Sequence, residues 1–257
     1  MRAAGFAFAA LIISTWFWLT PSGLMGKADA IGYAVCHQIS THSFFVKEGL
    51  PMPMCARCSG MYISAMLTLG YSFAFHNKKA GFPPKRVMIV FALFVILWLV
   101  DGINSFLHLF PFWNFLYDPN NLLRLWTGSG MGIVAASFLF AAFNQTVWVD
   151  WKSASPFEQT KQLLILLLLV SLGNLLILSN QTPLLYTLAM LSAVGVIALL
   201  SIVYGMIWIM VVKKTNQYQS YRELFLPLCV GLGLAFLQIG VLDWIRFTLM
   251  GKWGGLL

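Results

Sequence analysis

Three of the chain's four cysteines, two of its four histidines and two of its prolines fall in one stretch, VCHQISTHSFFVKEGLPMPMCARCSGMY, spanning Val35–Tyr62. Cys55 and Cys58 stand three apart at the start of an apolar run, and on a helix that spacing puts both sulfurs on one face. Cys36 lies upstream by a loop long enough to fold back, with His37 and His42 beside it. Pro51 and Pro53 stiffen the return and keep helix out until Met54. Three chemistries fit. A tetrahedral zinc site takes thiolates and imidazole, and a C-x-x-C pair with a distant Cys/His is its usual sequence form. Its ligands would be Cys36, His37, Cys55 and Cys58, with His42 as the alternative to His37. A membrane thiol–disulfide oxidoreductase would use the C-x-x-C pair with Cys36 as partner and pass electrons to a quinone. The helix N-terminus and Arg57 would lower a thiol pKa for either purpose. A single structural disulfide is the plainest reading, since extracytoplasmic thiols tend to oxidise, but it leaves an odd cysteine. Adjacent histidines are needed by a metal and not by a redox pair, which tips the reading towards zinc. Cys229, near the start of the last apolar run, reads as a core thiol.

A second constellation follows. WLVDGINSFLHLF carries Asp101, Asn104 and His108 on one helical stripe, and DPNNLLRLWTGSGMG repeats the spacing with Asn121, Arg124 and Gly128, with Thr127 alongside. An ionisable group at membrane depth costs a few kcal/mol and finds a partner facing protein or water. Asp101 and Arg124, on helices joined by a short turn, are the expected pair. One reading is an interhelical salt bridge with glycine packing. The other is a polar pocket in which Asp101 is acid or base, Asn104 assists, Arg124 grips an anion, and His108, Asn121 and Thr127 line the walls. Asp243 and Arg246 read as snorkelling interface residues.

These side chains need a scaffold, and composition names it. The chain is 60% hydrophobic and 9% charged, against about 25% charged in soluble domains. Beyond the N-terminal run, six stretches approach the roughly 20 apolar residues of a bilayer-spanning helix: about Ala56–Phe75, Val87–Leu109, Leu122–Val147, Gln162–Ser179, Leu184–Val212 and Leu224–Thr248. Pro83, Pro84, Pro111, Pro119, Pro156 and Pro183 punctuate the gaps, and Pro227 falls in the first turn of the last run. Strand alternation of the barrel kind is absent. The expected fold is all-α, a polytopic integral membrane protein of about seven transmembrane helices, or six if the N-terminal segment is cleaved. Residues 1–19 form a first helix or signal anchor, 20–54 an extracytoplasmic Cys/His loop, 55–148 a three-helix core carrying the motifs, and 149–257 three further helices. The apolar start is long for a signal peptide and ends in an aromatic anchor, Trp16–Trp18, so a retained helix is favoured although ADA at Ala28–Ala30 resembles a cleavage site. Gly128, Gly130, Gly132, Gly231 and Gly233 predict close helix contacts, and Asn174 a bond to a neighbouring helix.

Charge orients the bundle. HNKKAGFPPKR and KKTNQYQSYRE carry most of the loop lysines and arginines, and with Arg2 they should be cytoplasmic. The Cys/His loop then lies outside the cytoplasm, with the N-terminus in. The net charge of +8 is topology signal that touches lipid headgroups. No nucleic-acid surface, P-loop, dinucleotide fingerprint or Ser-His-Asp context is present.

The pattern CHQ…SFF…G…P-x-P-x-CARC-S-G-x-Y, continued by DG-x-N at Asp101–Asn104 and N-x-x-R-x-x-TG at Asn121–Gly128, resembles a family of predicted prokaryotic membrane proteins catalogued as domain of unknown function 2085. The resemblance covers about Ala34 to Met131. It implies that Cys36, His37, Cys55, Cys58, Asp101, Asn104, Asn121 and Arg124 belong together, and it implies no reaction. Relatives carry proline and arginine after CHQ where this chain has Ser40 and His42, a departure that would let His42 take a ligand position. The resulting expectation is an extracytoplasmic Cys/His site, zinc-binding, above a polar intramembrane pocket. Any enzyme chemistry there would be metal-assisted, on a lipid-soluble or headgroup substrate. The rivals are the quinone-coupled oxidoreductase and a non-catalytic assembly or transport component with a disulfide-stapled loop.

Overall fold

The computed structural model describes residues 2–47, 49–108, 110 and 116–255. These form α1 (Arg2–Leu19), α2 (Gly23–Val35), a short antiparallel hairpin of β1 (Phe45–Lys47) and β2 (Leu50–Pro51), then α3 (Ala56–Phe75), α4 (Lys85–Leu107), α5 (Asn121–Val147), α6 (Thr160–Leu178), α7 (Thr182–Val211) and α8 (Phe225–Met250). Each of the six apolar runs is one helix, and the punctuating prolines lie at or near helix starts. Leu109 and Pro111 are outside the described residues. The protein is an all-α polytopic membrane protein.

Five helices, α4 to α7 and the segment Tyr221–Met250 containing α8, are long and apolar enough to cross a bilayer by length and composition. Their outer faces expose large aliphatic side chains, such as Ile89, Ile96 and Ile103 on α4 and Leu164, Leu168 and Leu172 on α6, as a lipid-facing surface requires. α1 and α2 pass the same test only together, and they meet at 106°. Within the stretch read as loop, Gly23–Val35 is therefore helix. The bend follows from Pro21 and from Gly23, whose φ of +80° suits glycine. Lys27 turns back at the bend and donates to the carbonyl oxygens of Phe17 and Thr20, placing a cation on the C-terminal end of α1.

α3 is the inner helix. It is 20 residues long but is not among the five apolar spans, because its buried side carries Ser59, Ser64, Thr68 and Ser72. It crosses α5 with almost nothing between the backbones: a Cβ on Gly60 would strike the carbonyl oxygen of Leu125, one on Gly128 that of Arg57, and one on Gly132 that of Met61. The Ser64 hydroxyl adds a hydrogen bond to the Ser129 carbonyl at 2.9 Å. The Ser129 hydroxyl donates to Asn174 Oδ1 of α6, also at 2.9 Å, as expected of that asparagine. Gly231 and Gly233 likewise take the close approaches of α8 to α7 and to α1.

The two lysine- and arginine-rich turns meet at one end. Tyr221 donates to Asn77 Oδ1 at 2.5 Å, Lys78 pairs with Asp150 at 2.8 Å, and the Lys78 ammonium sits 4.8 Å from the Trp148 ring. The N-terminal end of α1 lies there as well, with Phe6 against Phe225. The Cys/His stretch is at the opposite end, where α2, the hairpin and the start of α3 gather.

A β-carbon at Gly132 should be costly because the obstacle is a backbone oxygen. Gly132→Val is expected to lose about 1–3 kcal/mol of stability, read as a lower unfolding temperature in detergent. Gly70→Ala in α3, where an added methyl meets nothing within 4 Å, is expected to be neutral or stabilising.

Candidate metal centre and its supporting network

Cys36 is the C-cap of α2, and its N–H donates to the Gly32 carbonyl at 2.8 Å. Its sulfur turns towards the N-terminus of α3, where Cys55 is the N-cap. There the Cys55 N–H donates to Cys36 Sγ at 3.3 Å and the Gln38 N–H at 3.5 Å. The ligand atoms of Cys36, His37 and Cys55 lie within 4.8 Å of one another, and the Cys58 thiol is near enough to act on that of Cys36. Cys36 and Cys55 are buried and Cys58 is half-buried. The thiols of Cys55 and Cys58 and the two backbone N–H groups hold the Cys36 thiol far below its usual range. The same bonding to Cys36 pushes the Cys55 thiol up, so Cys36 is the first to ionise. Cys229 is half-buried near the start of α8, at the other end of the bundle.

Both histidines stay close. Their rings meet edge to face, 5.4 Å between centroids. His37 Nδ1 accepts the Ile39 N–H at 3.0 Å. Burial, followed by the field of Arg124, pulls the His42 pKa down to about 4, which leaves a neutral imidazole able to ligate.

The loop that carries Cys36 is held on three sides. Gln38, at φ +52°, donates from its side chain to the carbonyls of Asp29 and Pro53 at 3.0 and 2.9 Å, tying α2 to the proline return. Arg246 of α8 donates to the carbonyls of Tyr33 and Cys36 at 2.5 and 2.6 Å, to His37 at 3.1 Å and to Gly254 at 3.3 Å. Its guanidinium also stacks 4.1 Å from the Tyr33 ring. Arg246 is thus no snorkelling residue, and neither is Asp243, which is 4% exposed and accepts the Trp16 Nε1–H at 3.0 Å. Asn121 of α5 reaches the carbonyls of Thr41 and Ser43 at 3.2 and 3.3 Å.

The second constellation assembles beside the first, with a different pairing. Asp101, 1% exposed, binds Arg57 of α3 rather than Arg124. Arg57 donates to its carboxylate from Nε at 3.1 Å and from Nη2, and to its backbone carbonyl at 3.0 Å. Tyr117 donates to the other carboxylate oxygen at 2.9 Å and Thr127 donates at 3.1 Å. Arg124, 5% exposed, donates instead to Asn121 Oδ1 at 2.9 Å, and its Nε has no partner among the described residues. The glycine crossing explains the exchange: with Gly128 against the Arg57 carbonyl, α3 lies close enough for Arg57 to reach α4. Asn104 is 3% exposed. It holds the turn after α4 through the Leu116 N–H at 3.1 Å and the Tyr117 carbonyl at 2.9 Å, which positions Tyr117. His108, expected on the same buried stripe, is exposed at the helix end.

Removing one member of a buried ion pair strands the other, at about 3–5 kcal/mol. A double-mutant cycle on Arg57→Gln and Asp101→Asn should therefore show strong coupling in unfolding experiments. The cycle on Asp101→Asn and Arg124→Gln should couple far less. The reverse order would restore the pairing expected from sequence.

Cys36, Cys55, Cys58, the two histidines and the Arg57–Asp101 pair all lie within the stretch that one family comparison matches. No curated protein and no solved structure matches the chain. The stretch from the Cys36 loop through α3 and α4 into α5 is similar to one family throughout: residues 36–138 match the family described as a predicted membrane protein, domain of unknown function DUF2085.

Proposed function

We propose that Cys36, Cys55 and Cys58, with His37 as the fourth ligand and His42 as its alternative, bind zinc at the extracytoplasmic surface of a prokaryotic plasma membrane. The observation that carries this reading is the approach of the Cys36, His37 and Cys55 ligand atoms, from two separate elements, to within 4.8 Å of one another, with the Cys58 thiol close enough to act on those of Cys36 and Cys55. A thiolate–imidazole set is what tetrahedral zinc takes. Charge supports it as well. Arg57 is matched by Asp101, whereas the side-chain partner of Arg124 is the neutral Asn121. A divalent ion held by three thiolates leaves one negative charge, which a neighbouring buried guanidinium would balance.

In this reading four protein ligands close the site, and zinc locks the Cys36 loop onto α3. Asp101, with donors on both oxygens, is an electrostatic anchor beneath the centre and not a free base. Arg124 is the cation that an anionic lipid headgroup or a metal thiolate would meet. His37 must release the Ile39 N–H if Nδ1 is to ligate. Otherwise the fourth position falls to His42 or to water, and a water there would give a catalytic rather than a structural site.

A second reading has its own support. A Cys36 thiolate close to both members of a C-x-x-C pair is also the arrangement of a thiol–disulfide oxidoreductase. Metal analysis and thiol titration on detergent-purified protein separate the two. The zinc reading expects about one zinc per chain, three thiols masked until chelation, and loss of the metal in Cys36→Ser. Metal-free protein with one fast-reducing disulfide, and a mixed disulfide trapped by Cys58→Ser, would replace it with the redox reading. The orientation is checked by a membrane-impermeant maleimide on intact cells. Lys47→Cys should label at once, and Gln219→Cys only after lysis.

A further inference from the structure

At the end of the bundle that carries the Cys/His cluster, α1 and the C-terminal half of α8 enclose a cleft of about 450 Å³, within the range of small-molecule sites. Its walls are aliphatic and aromatic, the rings being those of Trp16, Phe236, Trp244, Phe247 and Trp253, and its one ionisable lining residue is Asp243. A carboxyl in such a wall is costly unless its oxygens are satisfied. One of them takes the Trp16 Nε1–H at 3.0 Å. The other, Oδ1, is buried and has no partner among the described residues.

Most donors on the nearby cations are engaged. Arg246, one turn further along α8, gives its Nη groups to the carbonyls of Tyr33, Cys36, His37 and Gly254, while its buried Nε finds no partner among the described residues. Lys27 is held by Phe17 and Thr20 at the end of α1. A lipid acyl chain would fill the space and leave Oδ1 as it is. A cationic amphiphile would meet the Arg246 guanidinium. What remains is a neutral hydrogen-bond donor on a flat, apolar body that stacks with indole and phenyl rings.

We propose that this cleft binds a lipid-soluble hydroxyaryl of the quinol class, its phenolic O–H donating to Asp243 Oδ1 and its ring lying among the aromatic side chains of the walls. The ligand would enter from the bilayer, between α1 and α8. It would rest one helical turn from the arginine that holds the Cys36 and His37 carbonyls. The inference does not depend on what Cys36, Cys55 and Cys58 bind.

The test uses the full chain in phosphatidylcholine nanodiscs, titrated with decylbenzoquinol and followed by quenching of tryptophan fluorescence. Saturable binding is expected. The dimethyl ether of the same quinol, which has the ring and tail but no O–H, should bind about tenfold more weakly, as loss of a hydrogen bond to a carboxylate implies. Asp243→Leu should lose the quinol to the same extent and bind the ether unchanged. Asp243→Asn, which keeps an acceptor oxygen, should stay within a few fold of the native protein. Because the ether is tested on native protein, a poorly folded variant cannot decide the result. Equal binding of quinol and ether, absence of saturation, or dodecanol binding as tightly as the quinol would each overturn the proposal.

Discussion

The backbones of α3 and α5 touch at Gly60, Gly128 and Gly132, and the chemistry at one end of the bundle depends on that contact. Lipid supplies no hydrophobic drive between helices, so close packing and interhelical hydrogen bonds must hold them. The glycine seam provides the first, and Ser64 to the Ser129 carbonyl provides the second. Arg57 thereby lies beside α5 and within reach of α4, where it meets Asp101. The N-terminus of α3 is fixed in turn, and it is this terminus that the Cys36 sulfur caps.

From that fixed point the site is built outward in layers. Sulfur and imidazole occupy the centre, held by Gln38 and by the Asn121 and Arg246 bonds to loop carbonyls. Beneath them is a saturated carboxylate with donors from α3, from α5 and from the turn after α4. Hydrogen bonds of this kind fix the orientation of the side chains they surround. Arg246 gives the C-terminal half a share in the site, although the family match ends at residue 138.

Much of this was legible in the chain, and the failures have physical causes. The Cys/His cluster was visible because helix spacing and proline stiffness constrain where Cys55, Cys58 and Cys36 can go. Asp101 was visibly in need of a partner. Order along the chain points to Arg124, because α5 is the next helix after α4, whereas the decisive fact is lateral: α3 lies against α5 through glycines. Arg57 stands inside the CARC motif, where its spacing from the cysteines points to the thiols and nothing local points to Asp101. α2 was hidden because GLMGKADAIGYAV is short and carries Lys27 and Asp29. Nothing local in α8 announces that Arg246 will reach carbonyls more than two hundred residues upstream. Asp243 was similarly hidden, because its burial depends on Trp16 of α1.

The account rests on three sulfurs from two elements sharing one ion. Zinc K-edge absorption on the purified membrane protein reads that first shell directly. We expect three sulfur neighbours at about 2.3 Å and one nitrogen or oxygen at about 2.0–2.1 Å. A shell of nitrogen and oxygen alone, or zinc retained unchanged when Cys36 is replaced by serine, would contradict it.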